Sequence, residues 1–368
     1  MIHGGNLAQA IAIHGGSRDG WLDLSTGINP HPYPAPALAD AAWHRLPEPS
    51  QALLAAARAC YGAQHLLPVA GTQAAIQALP RLREPARVAI AAPTYGEYAH
   101  WWKQAGHAVQ EIARGAASAP RAAGISLDAA NATDATDAAA THGPDLRGFD
   151  VLVVCNPNNP TGARIAPERL LQWADTLAAR GGWLIVDEAF ADTDPAASIA
   201  PRAGRPGLIV LRSVGKFFGL AGLRLGFVCA QAELLGALAE ALGPWQVSGP
   251  AQDIGAAALA DAAWQTATRH RLQALLAGHG LRSAGTPLFQ WWPARTMALA
   301  PEDFQARMAE RHIWTRLFPA GSAAHGIRLG LPADEAGWRR FAQALEAVLG
   351  GADVTAPHAP RALGQAAS

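Results

Sequence analysis

The chain has 368 residues, half of them hydrophobic and 16% charged, which suits about two domains with sizeable cores and excludes a wholly disordered protein. Its 29 basic and 29 acidic residues cancel, so no basic excess exists to neutralise a nucleic-acid backbone. No basic leader opens it and no run of about 18 apolar residues marks a membrane span; Cys60, Cys155 and Cys229, far apart, read as thiols of a cytoplasmic protein, with no metal expected.

In chain order, residues 35–61 predict helix, interrupted at RLPEPS, where Ser50 can cap the segment that follows. A short strand then leads to AGTQAAI, in which Gly71, Thr72 and Gln73 sit at a helix start whose unpaired N–H groups suit a phosphate. Residues 87–92 predict a buried strand, followed by a loop holding Tyr95 in PTYGEY and a helix ending at Gly106. Residues 113–145, rich in Ala, Asp and Thr, read as irregular surface chain. FDVLVVC is an apolar strand ending in the turn NPNNPTG; an amphipathic helix and two more apolar strands, in WLIVDEAF and GLIVLRSVGKFFG, come next. Apolar runs alternating with helices imply an α/β fold with a mostly parallel sheet covered on both faces, and every polar motif falls at a strand's C-terminal end.

From about residue 245 the pattern changes. A helix across 250–279, a Trp-rich stretch at 288–293, a helix at 301–311, HIWTRLF, GIRLGLP and a helix at 333–349 predict a smaller α+β domain. The expected division is an N-terminal arm (1–34) that joins the small domain and the substrate site, a large domain (35–244), a small domain (245–350) and a disordered tail (351–368).

Only Lys103 and Lys216 are lysines; the other basic residues are arginine. Lys216 is either a surface charge or an amine that must lose its proton to attack a carbonyl, which a guanidinium cannot do. Asp187 ends a buried run, where a carboxylate needs a cap to make or a cation to meet. Asn159, in NPTG, either shapes a turn or aims its amide at a ligand oxygen; Tyr95 either packs or stacks on a flat ring. Ser213, three residues before Lys216, and Arg224, eight after it, are good phosphate ligands.

Taken together, Gly71-Thr72-Gln73, Tyr95, Asn159, Asp187, Ser213, Lys216 and Arg224 resemble the motif order of the fold-type I pyridoxal-phosphate enzymes, the aspartate aminotransferase superfamily. The resemblance spans about residues 1–350 and implies pyridoxal 5'-phosphate as cofactor, Lys216, Asp187 and Tyr95 as catalytic residues, and a homodimer. HGGN (3–6) and WLDLSTGINPHPYP (21–34) are similar to the start of the L-threonine-O-3-phosphate decarboxylases of cobalamin biosynthesis. That likeness implies a phosphorylated amino acid as substrate, held by His3, Gly4, Asn29, Asn159, Arg316 and Arg328, with either arginine alternatively a structural ion pair. Histidinol-phosphate aminotransferases share NPNNPTG and GLAGLRLGF and form the alternative; a non-catalytic protein that keeps the fold is another. Three positions depart from the family pattern: Leu46 where a Tyr is frequent, Phe190 in place of a Tyr, and Gly215 in place of Ser or Thr.

Overall fold

The structure, a computed structural model, describes residues 4–113, 146–279 and 284–350. It divides into two compact units: Pro32–Trp264 forms the larger, and the residues up to His31 join those from Gln265 onward in the smaller. The sequence pattern puts the division at 34/35 and 244/245, whereas the chain divides after His31 and after Trp264.

The chain begins in the smaller unit with α1 (Leu7–His14) and β1 (Leu22–Asp23). In the larger unit follow α2 (Ala41–His44), α3 (Gln51–Tyr61), β2 (Leu66–Val69), α4 (Thr72–Ala78), β3 (Arg87–Ala92), α5 (Glu97–Gln104) and β4 (Ala108–Ala113). Next are β5 (Val151–Cys155), α6 (Pro167–Ala178), β6 (Trp183–Asp187), β7 (Leu208–Ser213), β8 (Gly226–Cys229), α7 (Ala232–Leu242) and α8 (Gly249–Ala260). Helix α9 (Ala262–Gly278) leads into β9 (Ala284–Thr286), β10 (Phe289–Pro293), α10 (Pro301–Ala309), β11 (Ile313–Trp314), β12 (Arg316–Phe318), β13 (Gly326–Leu329) and α11 (Glu335–Leu349).

The seven-stranded sheet runs β2-β8-β7-β6-β5-β3-β4, parallel throughout except for β8. Every residue of β5 and β7 is buried, as expected of strands covered on both faces. Because β2, β3, β5, β6 and β7 point the same way, the chain leaves Val69, Ala92, Cys155, Asp187 and Ser213 along one edge of the sheet. The smaller unit pairs β1 with β11 in parallel and stacks β12-β13-β10-β9 antiparallel.

Local chemistry explains where elements begin and end. Ser50 Oγ accepts from the N–H of Leu53 at the start of α3, and Gly62 closes that helix in a left-handed conformation (φ 64°). The expected helix over 35–61 is reduced to α2 and α3, since Pro34 and Pro36 hold the chain extended before Asp40. The single helix expected over 250–279 breaks at Asp261, whose Oδ1 caps α9 by accepting from the N–H of Trp264 at 2.9 Å. Helix α8 belongs to the larger unit because Gly255 lies against Leu53 and Leu225; a Cβ there would meet Leu225 Cδ2 at 2.2 Å. Strand β4 has no apolar run to announce it: it is an edge strand that exposes Ala108, Gln110 and Glu111. Most of the Ala-, Asp- and Thr-rich stretch and the whole tail expected at 351–368 lie outside the described residues.

Candidate functional site

Along the C-terminal edge of the large sheet, Asp187 is 5% exposed at the end of β6, in register with Cys155 on β5 and Leu211 on β7. Its Oδ1 accepts from the N–H of Ala189 at 2.9 Å and its Oδ2 from the hydroxyl of Tyr98 at 2.9 Å. Burial pushes the carboxyl's pKa up, while Ala189, Tyr98 and the positive charge of Lys216 pull against that. Lys216 lies in the loop after β7, half-buried, with Nζ 5.8 Å from the centre of the Phe190 ring. A buried carboxylate with a titratable amine in its field suits a cationic ring nitrogen beside a reactive carbonyl.

The phosphate side of the arrangement is built by close backbone approach. Gly71 precedes α4 with φ 73° and ψ 157°, and a Cβ there would stand 2.5 Å from Nη2 of Arg224. A Cβ on Gly226 would stand 2.8 Å from the backbone nitrogen of Thr72. Arg224 itself is left-handed (φ 56°) and donates from Nη1 to the carbonyl of Ala221 at 3.1 Å. Ser213 ends β7, and its Oγ accepts from the N–H of Gly215 at 3.2 Å. The glycines thus leave a concave backbone that one methyl group would fill, flanked by a guanidinium, which fits a phosphate.

In the NPNNPTG turn the asparagines divide their tasks. Asn156 donates to the carbonyl of Ile165 and accepts from its N–H, while Asn158 donates from Nδ2 to Thr161 Oγ1 at 2.8 Å. Asn158 is fully buried and Asn159 half-buried, so Asn159 is the one placed to reach a ligand. Tyr95 donates its hydroxyl to Gln73 Oε1 at 3.1 Å, and Gln73 Nε2 donates to Glu97 Oε2 at 2.9 Å. Trp101 Nε1 donates to the same carboxylate oxygen at 2.9 Å. Burial first, then Glu97 and Asp187, pushes the Tyr95 phenol up to about 12, so it stays protonated. The side chain of Gln73 therefore orients Tyr95, which leaves backbone groups at 71–73 for a phosphate.

The smaller unit carries the other expected residues. Arg316 on β12 and Arg328 on β13 are directly opposed across the ladder. Arg328 is 7% exposed, donates from Nη2 to the carbonyl of Ser25 at 2.8 Å and lies over the Phe289 ring. Burial and the neighbouring Arg316 charge lower its pKa to about 10. Like charges opposed in a ladder are destabilising, so this pair is suited to an anion that answers both. The N-terminal segment packs here as well: the N–H of Gly5 donates to Ser25 Oγ at 2.8 Å, and a Cβ on Gly4 would sit 2.4 Å from the Ser25 carbonyl and 3.4 Å from Nη2 of Arg328. Asn29 is buried, and its Oδ1 accepts from the N–H of His31 at 3.0 Å. His3 lies outside the described residues.

Sequence reasoning missed three residues that build these sites: Tyr98 and Glu97, which hold Asp187 and Gln73, and Ser25, which joins Gly5 to Arg328. Glu97 and Tyr98 lie in the same PTYGEY stretch as Tyr95, but no local pattern assigns them partners so far along the chain. Tyr95 stands two residues before α5, and Tyr98 is the second residue of that helix.

A family model for aminotransferase class I and II matches residues 23–278. The chain is 47% identical to the threonine-phosphate decarboxylase of Pseudomonas aeruginosa, over 94% of this chain and 97% of that one. It is 45% identical to the threonine-phosphate decarboxylase of a Sinorhizobium species, over 94% and 97% of the two chains. Among solved structures, histidinol-phosphate aminotransferase from Sinorhizobium meliloti in complex with pyridoxal-5'-phosphate superposes with a TM-score of 0.70 at 18% identity, covering 95% of this chain and 96% of that one.

Proposed function

The chain belongs to the aminotransferase class I and II family, and from that premise we propose that it is a pyridoxal-phosphate-dependent enzyme that decarboxylates L-threonine O-3-phosphate. The product is (R)-1-amino-2-propanol O-2-phosphate, which serves cobalamin biosynthesis. The observation that carries this reading is the full-length likeness to two decarboxylases, at 47% and 45% identity. The aminotransferase likeness, at 18%, speaks to the fold alone.

Bound in the larger unit, pyridoxal phosphate supplies a cationic ring that takes up the electron pair released when CO2 leaves the α-carbon. Asp187, with both oxygens already accepting hydrogen bonds, is the counter-charge for the ring nitrogen. Ser213, Arg224 and the backbone of Gly71, Thr72 and Gln73 would hold the cofactor phosphate, Tyr95 would cover the ring and Asn159 would donate to its phenolic oxygen. Lys216 would anchor the cofactor through its amine, and Lys216 or a water would return a proton to the α-carbon after CO2 has left. Arg316 and Arg328 would take the substrate's phosphate and carboxylate, with Gly4, which lies against Arg328, and with Asn29 and His3, the last outside the described residues, as further substrate-binding residues. Decarboxylation rather than transamination requires the Cα–carboxylate bond to stand perpendicular to the cofactor ring.

We further read the enzyme as a cytoplasmic homodimer. No helix among the described residues is long and apolar enough to cross a membrane, and Trp43, Leu46 and Trp245 expose large apolar side chains on the larger unit.

The test is an assay of the cofactor-loaded protein with L-threonine O-3-phosphate, with and without 2-oxoglutarate, using Lys216→Ala as the blank. CO2 and an amino alcohol phosphate formed without any keto acid are expected. Glutamate formed from histidinol phosphate and 2-oxoglutarate, with no CO2, overturns the reading in favour of an aminotransferase.

A further inference from the structure

Asp187 shares a proton with whatever nitrogen it meets, and where that proton rests depends on how basic the carboxylate is. Each hydrogen bond donated to a carboxylate lowers its basicity. Asp187 already has two such donors, of different kinds. The N–H of Ala189 is fixed backbone, two residues along the same chain turn. The hydroxyl of Tyr98 comes from α5, an independent element, and the side chain is 1% exposed. In that burial the phenol's own pKa lies well above 10, so it remains a donor throughout the physiological range.

We propose that Tyr98 is a positioning residue that keeps the shared proton on the cofactor's ring nitrogen instead of on Asp187. The inference rests on the cofactor reading above and adds to it a second element that controls the charge of the ring. Tyr95 and Tyr98, three residues apart, contact each other edge to face at 6.4 Å. The start of α5 and the loop before it therefore serve both roles: Tyr95 in the loop would cover the ring, and Tyr98 in the first turn would tune its counter-charge. The other groups facing Asp187 are Lys216 after β7, Tyr95 before α5 and Cys155 on β5; its strand partner on β7 is the apolar Leu211. Glu188, the next residue, is engaged elsewhere, accepting from Arg212 and Ser198. Tyr98 is thus the side-chain donor that Asp187 can lose without a change in local charge.

Tyr98→Phe keeps the ring and removes the oxygen. With Asp187 more basic, the proton moves toward the carboxylate and the ring loses positive charge. The nitrogen of Lys216 bound to the cofactor then holds its own proton more tightly. The experiment is a pH titration of the visible absorbance of the cofactor-loaded wild type and Tyr98→Phe, with thermal midpoints of both recorded in parallel. The expected result is that the proton-linked colour change moves to higher pH by about one unit, a tenfold change of the size a hydrogen bond to a charged acceptor produces. In an Asp187→Asn background the same substitution is expected to move nothing. Coincident titrations of wild type and Tyr98→Phe, with only the thermal midpoint lowered, overturn the proposal and leave Tyr98 a packing residue. Should Tyr98→Phe not fold, fluorotyrosine at position 98 keeps the fold and strengthens the donor, and the colour change is expected to move to lower pH; no movement overturns the proposal. A wild type that takes up no pyridoxal phosphate overturns the cofactor reading and this inference with it, whereas a wild type with a Lys216-dependent colour confines any failure to Tyr98.

Discussion

A methyl group on residue 71 has no room: it would press on the Arg224 guanidinium, and the backbone there (φ 73°, ψ 157°) lies in a region that only glycine occupies readily. The obstacle is the far end of a flexible side chain, so Gly71→Ala is expected to displace Arg224 and leave the sheet intact. The backbone conformation should cost about 1–3 kcal/mol of stability, read by urea unfolding. The larger effect is expected on cofactor affinity, weakened at least tenfold in a pyridoxal phosphate titration, about the worth of one charge-assisted hydrogen bond. Retained affinity would show that Arg224 plays no part in holding the phosphate. At this scale the sequence was highly informative. One of only two lysines in an arginine-rich chain, an acid ending an apolar run and a glycine opening a helix each stand out from their surroundings in the sequence. Tyr98 was not legible in the same way, since a buried tyrosine serves packing as readily as hydrogen bonding, and only the position of Asp187 on a strand far along the chain separates the two roles.

The strands show what a linear pattern leaves out. β5, β6 and β7 were plain as apolar runs, and the motifs at their ends fall on one edge because the strands are parallel. The edge strand β4 and the break between α8 and α9 were not, because partly exposed chain carries no strong period and one capping aspartate resembles any other. Arg316 and Arg328 were both visible, but their opposition depends on the β12–β13 register, which no local signal carries. That opposition has a measurable cost. Arg316→Gln is expected to raise the thermal stability of the ligand-free protein slightly, by about 0.2–1 kcal/mol, the range for like charges paired across a ladder. Inorganic phosphate should stabilise the wild type by binding the pair, and this gain should shrink in the variant, both read as shifts of thermal midpoint. A variant less stable than wild type, with an unchanged response to phosphate, would mean that Arg316 is held by structural partners and takes no anion.

Taken whole, the chain closes on itself: its first described residues and its last helix share one unit, with Leu7, Ala10 and Trp21 packed against Ala309 from α10. The length and the change of pattern near residue 245 announced two domains, but nothing local says that residues 4–31 return to the second. The surface makes its own prediction. Trp43, Leu46 and Trp245 are 64%, 66% and 59% exposed, and α2, which carries Trp43, packs on α8 just after Trp245 through the contact of Ala42 with Gly249. Large apolar side chains exposed on α2, just after it and just before α8 favour a covered face. Light scattering is expected to give twice the 38.3 kDa chain mass, and Trp43→Ser with Trp245→Ser to shift that value toward the monomer. A wild type that scatters as a monomer at all concentrations ends the dimer reading.

The two lysines have one more consequence. Lys103 is exposed on α5 and Lys216 is half-buried in the field of Asp187. A sample grown on isotope-labelled lysine therefore contains only two labelled side-chain amines in the whole molecule. Its nuclear magnetic resonance spectrum holds two side-chain amine signals, one from exposed Lys103 and the other from the half-buried amine in the field of Asp187, which can be followed without a mutation or a dye.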